Sequence, residues 1–211
     1  IHGKQLSYNN YNDIFAALSI SKSFPNKNIG TVIVKHANPC GVSIKKNHLE
    51  SYKSALACDP TSAFGGIVSC NFKITKNIAI ELNKLFLEVV IGNNFDSSAL
   101  KILKKRKNLR LIDASNYFFK EKFKFISNDE KIFIQSEDMN KFDIKDFSVV
   151  SKKKPSSKQI KNLIFAFNIC RYVKSNAIVL ASDETTVGIG SGQPSRLDSC
   201  QIAINKMKKF T

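Results

Sequence analysis

The stretch "VKHANPCG" at positions 34–41 places a cation, an imidazole, a carboxamide and a thiol within eight residues, directly after an apolar run. Imidazole takes up and releases protons near neutral pH, and a neighbouring ammonium can stabilise a developing oxyanion. Lys35 and His36 are therefore a candidate general base with an electrostatic partner. The plainer alternative is a strand-to-turn corner, with Asn38-Pro39 and Gly41 forming a tight turn and two polar side chains facing solvent. A catalytic zinc is not expected. Zinc deaminases of nucleobases carry H-x-E and then P-C-x-x-C, whereas this stretch has Asn38 in place of the glutamate and Ser43 in place of the second cysteine.

Three further segments have residue types suited to a ligand. "DPTSAFGG" (59–66) ends in two glycines, Gly65 and Gly66, which let backbone approach a bound group; it is equally a helix-to-strand connector. Glu88 heads the apolar run "EVVIG" and could bind an amine or cap a sheet edge. "GIGSGQPSR" (188–196) follows a strand and opens a helix, so its backbone amides and Arg196 suit a phosphate. It lacks the GxxxxGK[ST] of a P-loop, and Ser195 stands where a dinucleotide fingerprint needs its third glycine. In "KSNAIVLA" (174–181) Asn176 precedes a strand and could donate to a reacting carbonyl, or could simply start that strand.

The elements that must carry these residues alternate between apolar runs and helical patterns, which predicts an α/β protein. Helices are expected at about 11–24, around Leu49, Tyr52 and Leu56 with a stop at Asp59-Pro60, along Ile74, Ile78, Leu82 and Leu85, near 97–105, and after Ser156 and Gln159, which form a capping box. Strands are expected at 31–34, 65–70, 88–92, 109–112, and in "NAIVLA" and "TVGIG". Residues 113–150, where Phe and Lys alternate irregularly, suggest antiparallel strands or an edge hairpin. "SKKKPSS" (151–157) reads as a boundary, dividing the chain into a first α/β lobe (1–150) and the start of a second (151–211). No internal repeat is evident.

The 211 residues carry a net charge of +16, yet only four of the 33 basic residues are arginines: Arg106, Arg110, Arg171 and Arg196. Nucleic-acid readers rely on Arg for bidentate contacts, so scattered lysines describe a solvated surface better than a specific nucleic-acid site. Five cysteines at irregular spacing, with no CxxC, indicate core thiols in a reducing compartment. No apolar run reaches the ~20 residues of a membrane span, and no secretory signal opens the chain, so a cytoplasmic protein is expected. The chain lacks an initiator Met and is expected to be a piece of something longer.

The blocks "GKQLSYNNYND", "VKHANPCGV", "DPTSAFGGIV", "EVVI", "KSNAIV" and "GIGSGQPSR", in this order, closely resemble the transformylase part of the PurH family of bifunctional purine-biosynthesis proteins. The resemblance runs through nearly all of 3–211 and is loosest over 113–150. It implies formyl transfer from 10-formyltetrahydrofolate, as co-substrate, to the 5-amino group of 5-aminoimidazole-4-carboxamide ribonucleotide (AICAR). It also implies two lobes like the cytidine deaminase fold without zinc, a homodimer, and no specific nucleic-acid or membrane partner. On the same basis His36 accepts the amine proton, Lys35 stabilises the oxyanion or protonates the leaving folate nitrogen, and Asn176 positions the formyl group. Asn38, Gly65 and Glu88 bind substrate, the last two at its carboxamide, and Arg196 holds the nucleotide. The family's IMP cyclohydrolase domain, an Arg-Tyr segment before "LSYNN", a later "SDAFFPFRD" block and a C-terminal arginine region are absent, so the chain is expected to be an internal fragment holding part of a site. The alternative expectation is a non-enzymatic module binding polyanions or nucleotides.

Overall fold

Along the expected strands, neighbouring residues are buried on opposite sides. Val32 and Val34, Ile67, and Val89 and Ile91 pack into one apolar cluster; Ile33, Val68 and Val90 pack into another. Such a sheet is covered on both faces, which is the layering of an α/β fold. The computed structural model describes residues 1–25, 28–118, 123–138, 140 and 144–210.

In chain order the elements are α1 (Tyr8–Lys22), β1 (Ile29–Lys35), β2 (Asn38–Lys45), α2 (His48–Cys58), the single turn α3 (Pro60–Ala63), β3 (Gly66–Cys70), α4 (Lys76–Leu82), β4 (Leu87–Gly92), α5 (Ser97–Leu103) and β5 (Arg110–Asp113). They continue with β6 (Phe123–Asn128), β7 (Lys131–Ser136), α6 (Ser157–Cys170), β8 (Ile178–Ser182), β9 (Thr185–Gly190) and α7 (Arg196–Met207). Seven strands form one mixed sheet in the order β5-β4-β3-β1-β2-β9-β8, parallel across β3-β4-β5 and antiparallel elsewhere. Tyr52, Ile78, Leu82 and Leu103 cover one face from α2, α4 and α5; Ile14, Ala17, Leu18, Phe165 and Ile169 cover the other from α1 and α6. Among the described residues, no helix is long and apolar enough to cross a membrane.

The expected elements are present, with two informative differences. α1 begins earlier than its periodicity suggests, because Ser7 and Asn10 form a capping box in which Asn replaces the usual Glu or Gln. The expected turn at Asn38-Pro39-Gly41 is instead strand β2, and the chain reverses one step earlier, at His36-Ala37. Pro39 is tolerated because it lies opposite Val34 at a bulge, and because the ladder from β2 to β9 is the single pair Ser43↔Thr185. Gly41 is required for packing: a Cβ there would lie 1.9 Å from the Ala55 carbonyl oxygen, so only glycine lets α2 settle on β2. Residues 113–150 do contain an antiparallel hairpin, β6–β7, standing apart from the main sheet; residues 119–122, 139 and 141–143 of that stretch lie outside the described residues.

β8 and β9, which follow residue 151, extend the same sheet, and they bring a repetition that the sequence conceals. α1-β1-β2-α2 and α6-β8-β9-α7 are both helix–hairpin–helix units. Each first helix opens with a capping box, at Ser7/Asn10 and Ser156/Gln159. Each hairpin reverses through two residues at positive φ, His36-Ala37 (53° and 58°) and Asp183-Glu184 (50° and 49°). Each second strand carries a glycine against the helix that follows: Gly41 on Ala55 and, at the matching register of β9, Gly188 on Ala203, where a Cβ would lie 2.1 Å from the carbonyl oxygen. The units meet where the Ser43 and Thr185 hydroxyls hydrogen-bond at 2.7 Å and Val42 N–H donates to Thr186 Oγ1 at 2.9 Å.

Candidate active site

Lys35 closes β1, and its ammonium donates to the Phe64 carbonyl oxygen at 2.6 Å. That contact joins "VKHANPCG" to "DPTSAFGG". Gly65 follows at φ +73°, a left-handed conformation suited to glycine, and its N–H donates to Phe86 O at 2.8 Å. Two residues beyond Phe86, the Glu88 carboxylate accepts from Asn10 Nδ2 at 2.8 Å and lies 3.8 Å from Arg110. Lys35, Gly65 and Glu88 thus occupy one edge of the sheet. A cleft of about 520 Å³ opens beside Glu88, lined by Phe86, Glu88 and Arg110 together with Lys4, Arg106 and Lys107; Lys35, His36 and Gly65 lie outside its lining.

This edge is the carboxyl end of β1 but the amino end of β3, β4 and β5, because β1 runs antiparallel to β3. The general preference of ligands for the carboxyl ends of parallel strands therefore does not explain the site. What builds it is the hairpin turn.

In that turn His36 is exposed, and its ring makes no hydrogen bond among the described residues. A two-residue turn with both residues left-handed normally calls for Asn-Gly, and each non-glycine residue there costs about 1–2 kcal/mol. His36-Ala37 is held by a carboxylate from another element. Asp13 of α1 accepts from Ala37 N–H at 2.6 Å and from His36 N–H at 3.2 Å. Asn38 completes the corner: its Nδ2 donates to His36 O at 3.0 Å, and its Oδ1 accepts from Lys174 N–H at 3.1 Å. Asn38, read from sequence as a turn residue, begins a strand and ties the hairpin to the segment before β8.

That segment contains Asn176, whose Nδ2 donates to Gln193 O at 3.0 Å and Pro194 O at 2.8 Å. Two carbonyl acceptors fix the amide's orientation and occupy its donors, so Oδ1 is the polar atom left for a ligand. Gly192 N–H donates to Lys174 O at 2.7 Å, binding the glycine-rich loop to the same segment. Arg196 opens α7 with an exposed side chain. The amides expected to receive an anion are already occupied: Leu197 and Asp198 N–H donate to Ser195 Oγ at 3.1 and 3.4 Å. A phosphate in this region would depend on Arg196 rather than on the helix start.

The contacts link Lys174, Asn38, His36, Lys35, Gly65 and Glu88 continuously, and a second set links Asn176 to the loop before Arg196. Two residues that hold candidate site residues in place escaped the sequence reading, Asp13 on the His36-Ala37 turn and Asn10 on Glu88. Both lie on α1 three residues apart, hence on one helix face, and the visible signal was a polar pair interrupting that helix's apolar face. Three of the five cysteines are core residues: burial raises the thiols of Cys40 and Cys70 to about 12 and that of Cys58 to about 11, while Cys170 and Cys200 are half-buried. No three His, Cys, Asp or Glu side chains among the described residues group so as to hold a metal ion.

A family model described as the AICARFT/IMPCHase bienzyme matches residues 1–206. The bifunctional purine biosynthesis protein PurH of Bacillus cereus (strain B4264) is 43% identical over 207 residues, covering 98% of this chain and 40% of its own length. PurH of Acetivibrio thermocellus is 41% identical over 207 residues, covering 97% and 40%. The chain therefore spans about 40% of the length of the curated relatives it matches. A solved chain of Acinetobacter baumannii RibD aligns over 52% of this chain and 37% of its own at a TM-score of 0.37 and 17% identity, too loosely to bear on the fold.

Proposed function

The chain belongs to the AICARFT/IMPCHase bienzyme family, and on that premise we propose that it carries part of the formyltransferase site, which transfers the formyl group of 10-formyltetrahydrofolate to the 5-amino group of AICAR. The observation that carries this reading is the 2.6 Å contact from Lys35 to Phe64 O, which unites two of the family-like blocks across 29 residues.

The amine of AICAR is a weak nucleophile, since its lone pair is delocalised into the imidazole and carboxamide. Attack on a formyl carbon therefore needs a base at the nitrogen and a cation at the oxygen. His36 has an exposed, uncommitted ring and accepts the amine proton. Lys35, anchored by one hydrogen bond, keeps further N–H donors for the tetrahedral oxyanion, or for the folate nitrogen as it leaves. Glu88, oriented by Asn10, receives the carboxamide N–H groups beside Gly65, where the absence of a side chain lets the planar ring approach. Asn38 contacts substrate at the hairpin corner, Asn176 aligns the formyl group through Oδ1, and Arg196 holds the phosphate. Residues 151–211, whose strands β8 and β9 continue the seven-stranded sheet, are the start of a second unit of cytidine-deaminase-like kind. The complete enzyme works as a cytoplasmic homodimer without a metal.

The test is an assay of the full-length gene product with AICAR and 10-formyltetrahydrofolate. Turnover supports the proposal. AICAR binding without turnover would replace it with a nucleotide-holding protein, and affinity for DNA that falls steeply with salt would replace it with a polyanion-binding module.

A further inference from the structure

Two observations on α1 converge on the same edge of the sheet. The Asp13 carboxylate accepts both amides of the left-handed His36-Ala37 turn, and the Asn10 side chain, one helical turn earlier, donates to Glu88. The turn has neither the asparagine nor the glycine that would make it form unaided. Its two amides point away from the β1–β2 ladder, and an acceptor on a separate helix satisfies them. The second hairpin repeats the device with a weaker acceptor: Glu184 N–H donates to Asn162 Oδ1 of α6 at 3.0 Å. That turn carries Asp183, which pairs with Lys45 and Lys158 and is not available for chemistry. Of these two hairpins, the one whose turn presents an uncommitted imidazole is the one with a two-point carboxylate clamp.

We propose that Asp13 is a positioning residue: by clamping the His36 and Ala37 amides it fixes the turn that aims His36 at the reacting atoms. Its effect passes through His36 and not through substrate contact. The catalytic half of the proposal rests on the formyltransferase reading; the clamp itself does not.

The experiment uses the full-length gene product as wild type, Asp13→Ala and Asp13→Asn, each with and without His36→Ala. Steady-state formyl transfer gives kcat and KM, and hydrogen exchange at the His36 and Ala37 amides reads the clamp independently of activity. Misplacing a catalytic group by about 1 Å can cost on the order of 10²-fold in rate, so Asp13→Ala should lower kcat by about 10–100-fold. KM for AICAR should stay within about threefold, as expected when a transition-state contact alone is lost. Asp13→Asn, nearly isosteric and retaining one acceptor as Asn162 does, should recover part of the loss and keeps the test open if the alanine variant folds poorly. On the His36→Ala background the Asp13 changes should cost no more than about twofold, the non-additivity of residues acting as a unit. Both amides should exchange at least about tenfold faster in Asp13→Ala, the signature of local opening. Unchanged kcat, an equal loss with and without His36, or unchanged exchange would each overturn the proposal. A wild type that transfers no formyl group would remove the formyltransferase reading and the catalytic role, while faster exchange in the variant would still establish the clamp.

Discussion

Asp13 and Asn162 occupy the same place in two helices. Each is the sixth residue of its helix, counted from Tyr8 and from Ser157, and each accepts a backbone N–H from the left-handed turn of the hairpin that follows. The two turns are nevertheless used differently. Asp183 of the second is engaged by Lys45, whose hydrogen bond and charge hold the Asp183 carboxyl below its ordinary range. His36 of the first remains open to solvent. One backbone device serves as a closed corner in one unit and as a presenting corner in the other.

Asn10 should govern affinity where Asp13 governs rate. Asn10→Asp keeps the oxygen that accepts from Ser7 N–H in the capping box, and replaces the donor to Glu88 with a like charge. Glu88 would swing away from the added charge. The expected outcome is a KM for AICAR raised about tenfold or more with kcat within about threefold, the pattern of lost uniform binding. A fall in kcat at unchanged KM would move Glu88 from binding to chemistry.

Gly41→Ala tests the seat of the hairpin. Its Cβ would sit against the Ala55 carbonyl oxygen, backbone against backbone, so no flexible side chain can give way. Overpacking of this kind costs about 1–3 kcal/mol or more, read as a lower urea midpoint at unchanged slope. A variant as stable as wild type would mean that α2 is free to shift on β2.

The elements on the two sheet faces were legible because burial imposes its period on the residues: Val32, Ile33 and Val34 alternate between clusters, and the Ser156/Gln159 capping box announced α6. The turn was misplaced by one step for a physical reason. Asn38-Pro39 and Gly41 carry strong local turn preferences, whereas His36 and Ala37 carry none, and their conformation is imposed by Asp13 from 23 and 24 residues away. A long-range contact of this sort leaves no local pattern. The same holds for the repeated unit, whose matching positions are filled by different residues, Asp13 and Asn162, His36 and Asp183, Ala37 and Glu184. Of the candidate site, the members were visible as motifs, while Asn176's orientation and the occupied amides behind Ser195 depended on partners that only the folded chain brings near.

The pair Lys206–Asp59, at 2.6 Å, ties α7 to the junction of α2 and α3 and should give an acid-dependent stability term. Burial of Asp59 alone would raise its carboxyl, but hydrogen bonds from Lys206 and Ser62 outweigh it and hold the group below its ordinary value. A carboxyl depressed in the folded state stabilises fully above its unfolded pKa, about 3.9, and loses that contribution as the pH falls through the lower folded value. Breaking a buried pair costs about 3–5 kcal/mol; with Lys206 35% exposed, about 1–3 is expected for Lys206→Met at pH 7 after allowing for solvent screening. In urea unfolding the gap to wild type should narrow as the pH is lowered below about 4. A gap independent of pH would show that the ion pair contributes nothing.

The most direct test of the central claim compares wild type and His36→Ala of the full-length gene product, measuring kcat for formyl transfer together with the dissociation constant for AICAR. The account predicts a loss of about 10²–10⁴-fold in kcat, the range expected for a missing general base, with AICAR affinity retained. An active enzyme whose rate is indifferent to the substitution would contradict it and return His36 to the turn.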